Sequence, residues 1–163
     1  TNRLYVMMME TCTDYTYAPR SAAETAAGGS DMRFAPRLPP GSDGLFGRLA
    51  AIDLATQQVV WTQRQRMPYA GSTLATATGL LFSGDLDRHF RAHDQDTGKV
   101  LWQTRLNAAP ESSPITYEVD GRQYVAVVAG GGSAFGAGGR GLVPELQSPA
   151  AGITLYVFEL SRR

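Results

Sequence analysis

The feature that most restricts what this chain can fold into is a repeat. Residues 51–61 (Ala-Ile-Asp-Leu-Ala-Thr-Gln-Gln-Val-Val-Trp) and residues 92–102 (Ala-His-Asp-Gln-Asp-Thr-Gly-Lys-Val-Leu-Trp) align at an offset of 41 positions. Ala51, Asp53, Thr56, Val59 and Trp61 fall on Ala92, Asp94, Thr97, Val100 and Trp102. A period of about 40–50 residues belongs to propeller-type repeats, in which each blade is a four-stranded sheet. Within the unit a strand ends at Asp53 or Asp94. Asp, Thr and Gly then supply a turn, their side-chain oxygens accepting from free backbone N–H groups and Gly98 tolerating positive φ. The following strand sets Val100, Trp102 and Thr104 on one face and Leu101, Gln103 and Arg105 on the other. Both tryptophans are expected to pack against a neighbouring sheet. Gln57 stands where Gly98 does, so its turn either accepts a side chain or is strained.

Further strand-like segments fit this scheme: 4–9, 47–53, 59–65, 73–77, 80–83, 89–94, 114–118, 122–128 and 154–160. Asp120-Gly121, between two alternating runs, is a type I′ hairpin signal. No segment combines a sustained helical period with caps, so little helix is expected. Two stretches interrupt the strands. Residues 17–46 are rich in Pro and Gly and read as an insertion between two strands of one blade, and residues 130–152, glycine-rich, read as a second. Such loops gather at one face of a propeller and either line an entrance or decorate the surface. The expectation is a single partial domain, 1–163, with blade-like units at about 2–65, 70–106 and 110–160.

Composition excludes several functions. The 163 residues carry 15 basic and 15 acidic side chains with no basic run, so nothing marks a surface for nucleic acid or an acidic membrane. No apolar run approaches membrane-spanning length. The single cysteine, Cys12, excludes an internal disulfide, a CxxC motif and a CxxCH haem site in this span, and is read as a small buried residue. The opening Thr-Asn-Arg-Leu-Tyr reads as a mature or truncated product and says little about compartment.

Other chemical-looking features have plainer readings. The run 127–141, glycine-rich after a strand, lacks a Gly-Lys-Ser/Thr ending and no helix pattern follows it, so it is read as a flexible or tightly turning loop, not a phosphate cradle. His89 and His93 share a strand face about 13 Å apart, too far for one metal ion, and are read as surface or blade-face residues. Asp85, Asp87, Asp94 and Asp96 sit among turn residues.

Four segments in order, Gly47–Trp61, Gly71–Asp85, Arg91–Trp102 and Pro114–Val128, closely resemble the C-terminal part of the quinoprotein alcohol and methanol dehydrogenases, which use pyrroloquinoline quinone (PQQ). The resemblance covers residues 2–160. It implies an all-β fold, a fragment of about three blades of an eight-bladed β-propeller of four-stranded antiparallel sheets. It also implies PQQ near the axis with a calcium or lanthanide ion, alcohol oxidation in the periplasm, and a cytochrome c as possible electron acceptor. The family's catalytic aspartate, principal metal ligands and tryptophan floor belong to its N-terminal portion, so neither a catalytic residue nor a metal ligand is carried over. Two cofactor-facing places fall within the chain. Met9-Glu10 stands where the family offers an amide, and Ala70-Gly71-Ser72 stands where it has Trp-Gly-Gly. Glu10, Ala70 and Gly71 are the candidate cofactor contacts.

A partial propeller leaves apolar sheet faces without partners. The expected partners are therefore the missing N-terminal blades or further copies of the chain. The readings in view are an enzyme part that is inactive alone, a non-enzymatic propeller module that binds proteins, and a short protein that completes a propeller by oligomerising.

Overall fold

The computed structural model describes residues 2–26, 28, 31–132, 138–146 and 152–160. The described elements are, in chain order, β1 (Arg3–Met9), β2 (Cys12–Tyr17), α1 (Ala22–Ala26), β3 (Met32–Arg37), β4 (Gly47–Asp53), β5 (Val59–Gln65), β6 (Tyr69–Ala75), β7 (Leu80–Asp85), β8 (His89–Asp94), β9 (Val100–Arg105), β10 (Ile115–Val119), β11 (Arg122–Ala129) and β12 (Thr154–Leu160). They form consecutive antiparallel sheets: β1-β4-β5, then β6-β7-β8-β9, then β10-β11-β12. Only the middle sheet has the expected four strands; the outer two have three each among the described residues.

The repeated turn shows why this sequence makes these sheets. After β4, Asp53 Oδ1 accepts from the N–H groups of Ala55 and Thr56, both at 2.9 Å, and the Gln57 N–H closes on the Asp53 carbonyl. After β8, Asp94 Oδ1 accepts from Asp96 N (3.1 Å), Thr97 N (2.8 Å) and Thr97 Oγ1 (2.8 Å), and Gly98 closes on Asp94. These bonds hold both carboxyls below the usual carboxylate range. Gln57 is in the left-handed region at φ +59° where Gly98 is at +74°, so the same turn is made with a strained side-chain residue. Asp120 and Gly121 both have positive φ, the signature of the type I′ hairpin between β10 and β11.

Alternation along the middle sheet divides two unlike interfaces. Phe82, Phe90 and Ala92 face the third sheet and join Leu106, Val125, Val127 and Ala129 in an apolar core. There the rings of Phe90 and Phe158 stack at 5.8 Å. Leu81 faces the first sheet with Leu49 and Tyr69, and around them the interface is polar. Trp61 donates from Nε1 to the Gln95 carbonyl at 3.0 Å, Tyr5 OH to Gln95 Oε1 at 3.2 Å, and Arg3 pairs with Asp96 at 2.5 Å. Trp61 lies flat on Gly98, so close that a Cβ there would sit 2.7 Å from its ring. Trp102 packs edge-on against Phe158 of the third sheet at 5.2 Å but remains 41% exposed.

Several expectations change. Of the two readings of His93, surface or blade-face, the second holds: it is fully buried in the polar interface, with Nε2 2.9 Å from Ser83 Oγ and Nδ1 3.1 Å from the Gly98 carbonyl. A carbonyl only accepts, so Nδ1 carries the proton and Ser83 donates to Nε2. Asp85 does cap its turn, accepting from His89 N at 3.0 Å, yet it is also buried and ion-paired with Arg91 at 2.6 Å. The first insertion contains secondary structure. β2 and β3 pair as a ribbon from Cys12 to Arg37, with α1 between them in sequence. Ser21 and Glu24 form a capping box on α1, a Ser-x-x-Glu signal that the absence of a longer helical period concealed. Cys12 begins this ribbon and is only half-buried.

Candidate functional site

Strands β1, β5, β7, β9 and β11 end, and β4, β6, β8, β10 and β12 begin, at one edge of the assembly, and both insertions leave from it. Arg66 ties them together. Its Nε and Nη2 hold the Glu145 carboxylate at 2.6 and 3.2 Å, Nη2 reaches the Leu142 carbonyl, Nη1 reaches the Gly44 carbonyl, and the guanidinium lies 5.8 Å over the Phe46 ring. The fork holds the Glu145 carboxyl below its ordinary range.

Residues 138–146 lie across this end. A helical turn at 138–140 brings Gly139 against Met9, Pro68 and Leu86; a Cβ on it would meet Leu86 Cδ1 at 3.1 Å, Met9 Sδ at 3.2 Å and Pro68 Cγ at 3.2 Å. Arg140 pairs with Glu111, whose side chain is only 4% exposed and whose Oε2 is buried without a hydrogen-bond partner. Leu146 packs on the cluster of Ala70, Leu86 and Ala109. This segment therefore touches the ends of all three sheets.

The three candidate residues fall into separate surroundings. Ala70 and Gly71 lie within β6, where the register to β7 shifts between Ala70 and Leu74. Ala70 is 3% exposed and belongs to the cluster on which Leu146 packs. Gly71, at φ +73°, is pressed against the chain before β10: a Cβ would lie 2.8 Å from the Pro110 carbonyl oxygen, so no other residue fits. Glu10 belongs to an ionic cluster, with Oε1 2.7 Å from Arg48 Nη1 and Oε2 3.3 Å from Arg64 Nε. Arg64 also forks Asp43 at 2.7 and 3.0 Å, which holds the Asp43 carboxyl low. Nearby, burial pushes the Tyr69 phenol up to about 12.

These surroundings test the quinone implied by the resemblance. An anionic cofactor needs cationic or N–H donors and an apolar platform. Glu10 offers a carboxylate already held by two arginines, Ala70 is buried in an apolar cluster, and Gly71 abuts backbone. The three do not fit an anionic quinone. Among the described residues no group of three or more His, Cys, Asp or Glu side chains is placed to hold a metal ion. Sequence reasoning missed Arg48, Arg64, Arg66, Glu111 and Arg140. The alternation of Arg64 and Arg66 on and beyond β5 was the one available signal; the partners lie 21 to 79 positions away.

The family model described as PQQ, glucose/ethanol/alcohol dehydrogenase, β-propeller domain matches residues 10–125. The 1-butanol dehydrogenase (cytochrome c) of Thauera butanivorans is 38% identical over 122 residues, 75% of this chain and 17% of that protein. The quinohemoprotein alcohol dehydrogenase of Comamonas testosteroni is 34% identical over 145 residues, 89% of this chain and 20% of that protein. A europium-containing methanol dehydrogenase superposes over 97% of this chain and 31% of its own, with a TM-score of 0.79 and 29% identity. The chain thus spans about a fifth of the length of the curated relatives it matches. A repeated Asp-Thr turn, consecutive blades that dock by tryptophan, and a family match across most of the chain lead to one conclusion: this chain belongs to the PQQ-dependent glucose/ethanol/alcohol dehydrogenase β-propeller family.

Proposed function

We propose that the chain supplies about three consecutive blades, at 2–65, 70–106 and 110–160, to the propeller of a PQQ-dependent dehydrogenase that oxidises an alcohol or similar substrate in the periplasm, and that it is inactive without the remaining blades. The observation that carries this reading is that the outer sheets have three strands each among the described residues and that the last of them leaves an apolar face open. β10–β12 present Ile115 (58% exposed), Tyr117, Val119, Leu155 and Val157 on one face, the side that the next sheet covers in the two preceding cases. A neighbouring blade is the partner such a face requires. The catalytic residue and the principal ligands of a calcium or lanthanide ion then belong to parts of the protein beyond this span. A cytochrome c is the proposed electron acceptor, as the name of the Thauera 1-butanol dehydrogenase (cytochrome c) suggests. When bound, PQQ would supply two-electron oxidation; this span contributes the walls on which the insertions rest.

The poor fit of Glu10 and Ala70 to the quinone supports a second reading, a non-enzymatic propeller module of the same family. Dye-linked alcohol oxidation by the full-length protein, loaded with PQQ and calcium or a lanthanide, separates the two. Turnover by the full-length protein but not by the 163-residue chain is the expected outcome. A full-length protein that neither binds PQQ nor oxidises alcohols would leave the module reading.

A further inference from the structure

Arg48 on β4 and Arg64 on β5 are directly paired across the ladder. Like charges at facing positions of a sheet repel, and an anion between them relieves that cost. That anion is Glu10. Its backbone N–H is fixed to the Phe46 carbonyl at 2.8 Å, and one oxygen goes to each guanidinium, at 2.7 and 3.3 Å. Arg64 has further acceptors in Asp43 and the Leu45 carbonyl. Arg48 has Glu10 as its carboxylate, and its Nε is buried without any acceptor. Two converging guanidiniums are the arrangement by which proteins recognise a ligand carboxylate, and here one donor stays unfilled.

We infer that the Arg48–Arg64 pair is a carboxylate-binding site that Glu10 occupies as an internal ligand. The ligand class is a small polycarboxylate, either a free acid or the carboxylates of a quinone cofactor. A tethered carboxylate competes at an effective concentration in the millimolar range or above, so an added carboxylate gains access only weakly while Glu10 is present. This assignment rests on the arginine pair alone and stands whether or not the protein oxidises alcohols.

The test is thermal unfolding of the intact protein at low ionic strength, titrated in parallel with citrate and with PQQ. The wild type should respond weakly. Glu10→Gln, which keeps shape and removes charge, should bind citrate at least about tenfold more tightly, with a midpoint that rises with the logarithm of citrate concentration. The double variant Glu10→Gln/Arg48→Met should lose that response. If Glu10→Gln folds poorly, Glu10→Ala replaces it, and acetate should restore its stability while chloride at equal ionic strength should not. A response of Glu10→Gln to citrate alone keeps the carboxylate site and excludes the quinone as its occupant. A response to PQQ alone places recognition in the ring and overturns the assignment, as does a Glu10 variant indifferent to every carboxylate or a response that survives Arg48→Met.

Discussion

Replacing Gly98 with alanine tests how blades one and two are joined. Two costs add at this position. The residue sits at φ +74°, where an L side chain costs about 1–2 kcal/mol. The new Cβ would also lie 2.7 Å from Cε3 and 2.8 Å from Cδ2 of Trp61, and overpacking of this kind costs about 1–3 kcal/mol. Trp61 cannot retreat freely, because its Nε1 is bonded to the Gln95 carbonyl at 3.0 Å. The sum is ~2–5 kcal/mol, a urea midpoint lower by on the order of 1–2 M. Gly79→Ala is the internal control: its φ is +86° but a Cβ there meets open space, so only the strain of ~1–2 kcal/mol applies. Gln57→Gly, at the equivalent turn, relieves strain and should range from neutral to about 1 kcal/mol stabilising after the entropy of glycine is counted. The assay is urea unfolding of the intact protein followed by tryptophan fluorescence. Equal losses for Gly98→Ala and Gly79→Ala would refute the reasoning, because Trp61 would then have yielded at no cost.

Three further outcomes are expected. Burial holds the folded pKa of His93 below its ordinary value near 6.5, so the unfolded chain takes up a proton that the fold refuses; stability falls as pH drops below about 6.5, by at most ~1.4 kcal/mol per pH unit, and levels off below the folded pKa. Subtracting the denaturation profile of His93→Gln from that of the wild type should isolate this slope, and parallel profiles would contradict it. Phe90→Ala, which removes a ring stacked between Phe82 (5.7 Å) and Phe158 (5.8 Å), should cost ~3–5 kcal/mol by chemical denaturation, and a loss under 1 kcal/mol would mean that blades two and three are not packed as described. Arg140→Met leaves the Glu111 carboxylate buried without its cation and should cost ~2–3 kcal/mol, less than in a wholly enclosed pair because Arg140 is partly solvated. Adding Glu111→Gln should recover part of that loss, and limited proteolysis should show cleavage within 138–146 before any strand is cut.

What was legible in the sequence was local or periodic. The Asp-x-x-Thr turn declares itself because its hydrogen bonds join residues two or three apart, and the side-chain period of two marks the strands wherever one face is buried. The matched tryptophans announced blade docking for the same reason. The surroundings of the candidate site were not legible, since they depend on which strand ends the fold brings to one edge. Glu10 is read from sequence as a charge beside a cofactor, but a carboxylate's role depends on its counter-ions, and Arg48 and Arg64 stand 38 and 54 positions away. Ala70 is read as cofactor-facing, yet it is buried with Leu86 and Ala109 in an apolar cluster. His93 stands between surface and blade face in the sequence because its strand position alone cannot say that a neighbouring sheet lies over that face. The sequence by itself determined the turns, the strands and the family. The tertiary structure decided which charges are neutralised and which faces are covered, because both depend on contacts between residues that only the packing of successive sheets brings together.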